Sequence, residues 1–353
     1  MQFNDVLTIK NGRNQRAVEN PNGKYPIYGS GGVMGYADDY ICKANTVVIG
    51  RKGSINNPIF VDCPFWNVDT AFGLEANTDM LLPRYLYYFC KHFNFEKLNK
   101  TVTIPSLTKA DLLRIEIDLP DLSVQQLIVS EIAKVESIIL LLQQAIQKLD
   151  ELIKARFVEM FGDEKKLMPM SDICSIITDG THQPPKFKEE GIPFIFVSNI
   201  TSDKLTYGAE KFIDQDTYNE LIKRTPIEIG DVLLSTVGSY GHPAVVKSDK
   251  KFLFQRHIAY LKPRREIVDS DYLHGAILSP DAQRQIEEGV KGIAQKTLNL
   301  SEIKKMRIPV PNMTNQKEFS AFVAQADKTK FVVQKALDKA QLLFDSLMQQ
   351  YFR

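Results

Sequence analysis

The side chains that could act chemically form no recognisable catalytic or metal-binding set. The five histidines are scattered, and none has a serine, cysteine or carboxylate partner at a spacing typical of nucleophilic catalysis. The four cysteines, Cys42, Cys63, Cys90 and Cys174, include no C-x-x-C pair, so neither a zinc site nor a disulfide framework is expected. No Gly-Lys-Ser/Thr loop is present to bind ATP phosphates. The polar side chains therefore suit recognition better than catalysis.

Two short segments come closer to enzyme motifs. Asn57–Phe60 is similar to the base-gripping Asn-Pro-Pro-Tyr/Phe loop of amino-methyltransferases, but it lacks the second proline, and no glycine-rich S-adenosylmethionine loop precedes it. Pro280–Asp281 with Glu302–Lys304 superficially resembles a metal-dependent nuclease motif. Its counterpart in an internal repeat, Asp111–Leu113, lacks that pattern, so we interpret it as a repeated helix start. We predict that this chain is not an enzyme and holds no metal or cofactor.

Polar and basic side chains suited to phosphates and base edges are concentrated in predicted loops. For any one of them, an ordinary solvated surface position is an equal alternative. As a set within loops they favour contact with double-stranded DNA. The predicted contact residues are Arg13, Asn14, Arg16, Arg51, Lys52, Lys97 and Lys100 in the first half, and Thr181, His182, Gln183, Lys186, Ser239, Tyr240, His242, Arg256, Lys291 and Lys296 in the second.

Length and charge bound these expectations. A chain of 353 residues is long for one domain, and its net charge of +1 neither demands nor excludes nucleic acid, because a local basic face can lie within a neutral total. The sequence has no run of eighteen apolar residues and no signal-peptide pattern at its start. We expect a cytoplasmic protein with no membrane partner.

A long amphipathic helix is predicted from Ser123 to Phe161. Ser123 with Gln126 fits a capping box. About 39 residues at 1.5 Å each would give a rod of roughly 58 Å. Apolar residues alternate at spacings of four and three, which is typical of a helix that pairs with another along one seam; they are Ile128, Ile132, Val135, Ile139, Leu142, Ile146, Leu149 and Ile153.

The predicted partner is a second copy of the same helix at the C-terminus. Adding 191 to the seam positions gives Phe319, Val323, Ala326, Lys330, Val333, Leu337, Ala340 and Phe344. The offset also relates Gln125 to Gln316. Lys330 takes the place of Ile139, so we expect it to interrupt the seam and fix its register. Such internal repeats determine the architecture of a chain.

The repeat extends into the globular parts. The offset is 167 at Pro26 and Pro193 but 185 at Val47 and Val232, which places an insertion of about eighteen residues in the second copy. We predict an α+β fold with two globules, separated by a pair of long antiparallel coiled-coil helices, and an internal two-fold repeat. The predicted boundaries are 1–121 for the first globule, 122–162 for the first helix, 163–312 for the second globule and 313–353 for the second helix.

Local patterns predict individual elements in both globules. Strands are expected at Thr46–Ile49, Ile59–Val61 and Asp69–Leu74, and a helix over "LPRYLYYFCKHF". Residues 25–40 are rich in glycine and tyrosine; Gly29, Gly31 and Gly35 miss the dinucleotide-binding spacing, so a glycine-rich surface loop is expected there. In the second globule, helical segments are expected to break at Pro280.

With these features the chain resembles the specificity subunit of a type I restriction–modification system. The resemblance covers both halves. It is carried by the twin segments "LTKADLLRIEIDLPDLSVQQ" and "LNLSEIKKMRIPVPNMTNQ" that lead into the long helices, by "GKYPIYGSGG", "NTVVIGRKGS" and "FWNVDTAF" in the first globule, and by "GIPFIFVSNI" and "GDVLLSTVGSYG" in the second.

The resemblance implies a non-catalytic DNA-recognition subunit. Each globule would contact one half of a two-part target, with the helices as a spacer long enough to hold the two globules about one DNA turn, ~34–36 Å, apart. Adenine N6 methylation of a flipped base would be done by modification subunits that bind S-adenosylmethionine, and two of them are expected. Cleavage and translocation, with ATP and Mg²⁺, would belong to restriction subunits.

Apolar side chains outside the helix seam would be exposed to water unless another surface buries them. Contact with the chain's own globules is one explanation, and docking of methyltransferase subunits is the other. The predicted partner-binding residues are Ile138, Leu140, Leu141, Phe331 and Val332.

Two alternatives to this function remain open from the sequence. A related two-part-target system, whose partner fuses methyltransferase and nuclease, would use a similar recognition subunit. A coiled-coil scaffold that binds protein rather than DNA is the other; its affinity would lack a steep salt dependence.

Overall fold

The computed structural model of this chain describes residues 1–99, 105–292 and 296–352. Two compact units are present: Met1–Gln143 with Gln334–Arg353, and Gln144–Val333. Each contains one globule and one half of each of two long helices. Among the described residues, no helix is long and apolar enough to cross a membrane.

The first unit is built on a four-stranded antiparallel sheet in the order β1-β7-β4-β5, beside a smaller sheet in the order β3-β2-β6. Its strands are β1 (Leu7–Asn11), β2 (Tyr25–Gly29), β3 (Gly32–Ala37), β4 (Thr46–Gly50), β5 (Ile59–Val61), β6 (Trp66–Asn67) and β7 (Ala71–Ala76). Its helices are α1 (Phe3–Val6), α2 (Pro83–His92), α3 (Lys109–Leu113), the first half of α4 (Leu122–Phe161) and the second half of the C-terminal helix.

The second unit repeats this plan with a sheet in the order β13-β12-β15-β9 and a smaller sheet in the order β11-β10-β14. Its strands are β8 (Leu167–Pro169), β9 (Cys174–Asp179), β10 (Ile192–Ile195), β11 (Phe212–Ile213), β12 (Val232–Ser235), β13 (Pro243–Val245), β14 (Leu253–Phe254), β15 (Ile258–Pro263), β16 (Val290–Lys291), β17 (Thr297–Leu298) and β18 (Arg307–Pro309). Its helices are the second half of α4, α5 (Met170–Ile173), α6 (Gln215–Leu221), α7 (Ser270–Ile277), α8 (Pro280–Gly289), α9 (Leu300–Lys305) and the first half of α10 (Met313–Tyr351).

The two sheets correspond strand by strand. In each, the first strand pairs with the last (β1 with β7, β9 with β15), and the last pairs with β4 or β12. The small sheets share the same parallel pairing, β2 with β6 and β10 with β14. The segment between β10 and β12 is the longer one, and it contains the extra helix α6. This is where the shift in offset places the insertion.

The long helices and mixed α+β class predicted from the sequence are present. The helix break predicted at Pro280 lies between α7 and α8, because Ser279 accepts a hydrogen bond from the amide of Ala282 and Pro280 takes the first helical position. The prediction of a surface loop at residues 25–40 is wrong. This segment contains a β-hairpin, β2 with β3, whose short turn depends on Gly32 at φ +118°.

A buried glutamine anchors the start of α4 in the first unit. Gln125 is fully buried, and its side-chain Oε1 accepts from the amide of Leu82 (2.8 Å). Its Nε2 donates to the carbonyls of Met80 and Pro120, both at 2.8 Å. A satisfied amide of this kind fixes helix direction, because every alternative leaves buried polar groups unpaired.

Gln316 makes the same three contacts at the start of α10 in the second unit. Its Oε1 accepts from the amide of Asp269 (2.9 Å), and its Nε2 donates to the carbonyls of Ile267 (3.0 Å) and Pro311 (2.9 Å). The equivalent residues of the repeat thus share one structural role.

Within each unit, the end of one long helix packs on the start of the other. In the first unit, Phe344, Met348 and Phe352 share a core with Ile128 and Ile132. In the second, the rings of Phe157 and Phe319 are 5.3 Å apart, and Arg156 pairs with Glu318 at 3.3 Å. These contacts explain why the seam positions nearest the globules are the most buried.

Lys330 forms an ion pair with Asp150 in the second unit. The lysine side chain is mostly buried, at 19% exposure, so the pair is a partly desolvated contact. A charged pair at one seam position disfavours registers that separate the partners, and the register role of Lys330 stays a prediction.

Candidate nucleic-acid interface

The loops of the first unit that carry predicted DNA contacts meet at one edge of its central sheet. Because the strands are antiparallel, β1 and β4 end where β7 begins. The amide of Arg13, after β1, donates to the carbonyl of Asn67 (2.9 Å). The amide of Arg51, after β4, donates to the carbonyl of Thr70 (2.7 Å). These bonds hold the loops against the segment that enters β7.

Most predicted contact residues of the first half lie at this edge. Arg13, Asn14, Arg16, Arg51 and Lys52 are all exposed there. Lys97 is exposed in a 3-10 turn, Phe95–Leu98, which is joined to the turn after β4 because the amide of Phe95 donates to Asn56 Oδ1 (2.7 Å). Lys100 lies outside the described residues.

The exposed charge at this edge is mainly positive. The loop segments 12–16, 51–54 and 68–70 contain four basic residues, Arg13, Arg16, Arg51 and Lys52, and one acidic residue, Asp69. The guanidinium carbon of Arg51 lies 5.7 Å from the centre of the Phe72 ring, which limits its rotamers. A near-neutral chain thus has a basic edge of the kind that attracts phosphates.

The second unit presents the equivalent edge. There β9 and β12 end where β15 and β13 begin. The amide of Thr181 donates to the carbonyl of Phe254 (2.9 Å), and the amide of Arg256 donates to the carbonyl of Thr181 (3.1 Å). The amide of Leu298 donates to the carbonyl of Thr236 (2.8 Å), which brings the β17 strand to the same edge.

Most predicted residues of the second half lie at or beside this edge, while the contacts of the described chain do not place Lys186 there. Lys291 pairs across β16 and β17 with Thr297, which bridges to Val237. The exposed members are His182, Gln183, Lys186, Ser239, Arg256, Lys291 and Lys296, while Thr181, Tyr240 and His242 are half-buried.

A charge cluster at the end of β9 was not predicted from the sequence. Arg224 donates from Nη2 to Asp179 Oδ1 (2.6 Å), and His182 Nε2 lies 3.0 Å from Asp179 Oδ2. Arg224 is 45 residues from Asp179, so no local pattern could pair them. The cluster fixes the loop that carries His182.

A second histidine at this edge is held by the inserted segment. His242 Nδ1 lies 2.9 Å from Asp203 Oδ1. The backbone of Asp203 has φ +58°, and its carbonyl accepts from Nε2 of His274 (2.8 Å). Burial lowers the pKa of His274, which keeps its ring neutral. His257, next to Arg256, also has a lowered pKa, chiefly because it is partly buried and secondly because of the Arg256 charge.

A family comparison identifies the protein class. The model described as the type I restriction modification DNA specificity domain matches residues 1–151 and 163–340. The chain belongs to this family. Specificity subunits of type I systems are non-catalytic, and the catalytic activities lie in partner subunits. Within the described residues, no group of three or more His, Cys, Asp or Glu side chains could hold a metal ion.

Individual relatives and solved structures agree with this assignment. The chain is 24% identical to the type I restriction enzyme EcoBI specificity subunit of Escherichia coli, over 87% of this chain and 73% of the relative. It is 18% identical to the type I restriction enzyme MjaVIII specificity subunit of Methanocaldococcus jannaschii, over 84% of this chain and 74% of the relative. The crystal structure of the S subunit from M. genitalium shares the fold, with a TM-score of 0.61 at 16% identity, covering 100% of this chain and 95% of that one.

The predicted partner-binding side chains lie on exposed helix surface. The exposed fractions of Ile138, Leu140 and Leu141 on α4, and of Phe331 and Val332 on α10, lie between 49% and 66%. Leu342 and Leu343 on α10 are also exposed, although they were not predicted from the sequence. These side chains are thus about half exposed or more, and their contact with a partner stays a prediction.

Proposed function

We propose that this specificity subunit recognises a two-part DNA target, with the basic sheet edge of each unit contacting one half. The observation that carries the proposal is that both copies of the repeat place their basic loops at the same sheet edge, although the loop sequences differ. Phosphate contacts from lysine and arginine position a protein on DNA, while other side chains in the same loops contact bases. Two different edges imply two different half-sites.

The two long helices would serve as the spacer between the edges. Within each unit, the end of one helix packs on the start of the other, as an antiparallel coiled coil requires. The Lys330–Asp150 pair supports a single register for that pairing. A fixed register would give a fixed number of base pairs between the half-sites.

The experiment that tests DNA recognition is a salt titration of binding. The full chain, with the methyltransferase encoded beside it, is titrated with duplex DNA at several salt concentrations. We expect affinity to fall steeply, with a slope of log affinity against log salt near −0.9 for each phosphate contacted. A slope near zero, or no binding to any host DNA, would favour the scaffold alternative.

Methyltransferase subunits would dock on the exposed helix surfaces. Ile138, Leu140 and Leu141 of α4 and Phe331 and Val332 of α10 occupy similar places in the repeat, so two similar docking surfaces result. Buried apolar side chains commonly form the centre of such interfaces. A partner that instead fuses methyltransferase and nuclease would use the same surfaces, and the co-purifying protein distinguishes the two systems.

The docking proposal predicts a specific loss of association. Leu140→Glu with Leu141→Glu places two charges in the proposed interface, so we expect at least a tenfold loss of methyltransferase co-purification, because burying an unpaired charge is costly. Gln126→Glu, at an exposed position of the same helix about 21 Å along its axis from Leu140, is the control. Co-purification equal for the double variant and the wild type would place the docking surface elsewhere.

A further inference from the structure

The β2–β3 hairpin of the first unit exposes apolar side chains near its turn. Val33 and Met34 are 54% and 62% exposed. Neither belongs to the buried clusters found in the described chain, although Ile27 and Ala37 of the same hairpin do. These two residues therefore contribute little to the fold of this unit.

The hairpin turn lies at the basic sheet edge. β2 is parallel to β6, and the amide of Val68 donates to the carbonyl of Tyr28 (2.9 Å), so β2 runs toward the same edge as residues 68–70. A Cβ on Gly50 would lie only 3.0 Å from Cβ of Ser30. The turn at Ser30 thus lies against the end of β4, directly before Arg51 and Lys52.

A bulge in the hairpin sets the position of Met34. Ile27 pairs with Gly35 and Tyr28 pairs with Val33, which leaves Met34 without a partner across the ribbon. Bulges of this kind redirect a side chain and increase the local twist. The sulfur of Met34 lies only 2.5 Å from where a Cβ on Gly29 would be. The missing side chain of Gly29 therefore leaves the space over β2 that Met34 occupies.

The charge around the hairpin favours a polyanionic partner. Residues 25–37 contain no charged side chain, so no carboxylate on the hairpin itself would repel phosphates. Arg13, Arg16, Arg51 and Lys52 lie in the loops that share its edge. Two carboxylates lie near the hairpin: Asp69 at that edge, and Glu19, whose Oε1 would be 3.6 Å from a Cβ on Gly35. An uncharged ribbon among basic loops would be surrounded by phosphates when inserted into a DNA groove.

We propose that this hairpin enters the major groove of the first half-site, where Val33 and Met34 make apolar contact with thymine methyl groups. The proposal rests on the proposed function. The major groove admits a two-stranded β-ribbon, and the thymine methyl is its distinctive apolar feature. Val33 and Met34 would then determine specificity, whereas the neighbouring arginines and lysine position the DNA.

The second unit lacks this device. Its equivalent strand, β10, is followed by a 3-10 turn at Val197–Asn199, and the chain then runs through the insertion before β11 returns. The tight hairpin turn is therefore particular to the first unit. Loss of the hairpin side chains should change one half-site only.

The first test is Val33→Ser with Met34→Ser in the full chain and its methyltransferase complex. Both side chains are exposed, so we expect unchanged thermal unfolding. At the half-site whose binding depends on Arg51 and Lys52, methylation should relax to related sequences, with about a five- to tenfold loss of affinity for the original site. The control is Ile229→Ser. Ile229 is exposed just before β12 begins, at the end of this strand that lies away from the basic sheet edge.

The second test removes only the methyl group from the DNA. Each thymine of that half-site and its flanks is replaced by uracil, which lacks the 5-methyl. Wild-type affinity should fall severalfold at one or more positions, and the double variant should be insensitive to the same replacement. A wild-type complex insensitive to every replacement, or a half-site and flanks without thymine on either strand, would overturn the hairpin proposal. Absence of any methylation motif dependent on the wild-type chain would overturn the proposed function as well.

Discussion

Gln125→Leu is expected to lower the free energy of unfolding of the first unit by about 3 kcal/mol, because one half-buried backbone amide and two half-buried carbonyls lose their partners. The three lost contacts are those with Leu82, Met80 and Pro120. Urea denaturation of the full chain, followed by a probe in each unit, measures the change. The first unit should unfold at lower urea, and α4 should lose its fixed start.

The neighbouring glutamine provides a matched control. Gln126 is exposed one residue further along the same helix. Because α4 begins at Leu122 and the amide of Gln125 donates to the carbonyl of Asp121, Ser123 lies inside the helix, and the capping box predicted for it with Gln126 is wrong. Gln126→Leu should therefore change stability by less than about 0.5 kcal/mol. Gln316→Leu should instead destabilise the second unit, where Gln316 makes the same three contacts. Equal effects of Gln125→Leu and Gln126→Leu would show that the buried amide does not anchor the helix.

Arg51→Ala with Lys52→Ala is expected to weaken DNA binding by tenfold to a hundredfold, on the order of what losing two phosphate contacts removes near 0.1 M salt. The salt slope should fall by about 2, since each contact contributes close to 0.9. Arg256→Ala with Lys296→Ala should have a similar effect through the second unit. If both edges contact one duplex, combining the two pairs should multiply the losses.

The control removes the same charge from the opposite edge of the first unit. Lys43 lies just before β4 begins. Arg114 lies near the start of β1, because the carbonyl of the next residue, Ile115, accepts a hydrogen bond from the amide of Phe3. Lys43→Ala with Arg114→Ala should leave both affinity and salt slope within about twofold of the wild type. Equal losses from both pairs of variants would mean that net charge, rather than the basic edge, drives binding.

The sequence predicts the long helices because their physics is local and periodic. The alternating apolar spacing extends for several heptads, and α4 at Leu122–Phe161 agrees with the expected helix to within one residue. The offset of 191 also selected Gln125 and Gln316 as an equivalent pair. Their role could not be predicted, because their partners, such as Leu82 and Asp269, are more than 40 residues away in the chain.

The recognition edges depend on long-range strand pairing. Local patterns selected Arg13 and Arg51 as polar loop residues, but only the antiparallel pairing of β1 and β4 with β7 brings them to one edge. The hairpin was missed because glycines interrupt the alternation that usually marks a strand. A turn signal at Gly31–Gly32 between two tyrosine-rich segments was the available clue.

The exposed helix surfaces could be predicted only in part from the sequence. Five consecutive apolar residues, 138–142, exceed what one seam can bury, so the sequence itself indicates a further surface. Which of them face outward depends on helix packing, and Leu342 and Leu343 become visible only in the folded chain.

The most direct test of the central claim is modified-base sequencing of host DNA, with and without this gene. We expect N6-methyladenine at one interrupted, two-part motif to disappear when the gene is deleted and to return on complementation. The Arg51→Ala, Lys52→Ala variant should lower methylation at the same motif. Unchanged methylation after deletion, with the gene and its methyltransferase both expressed in the parent strain, would contradict the account.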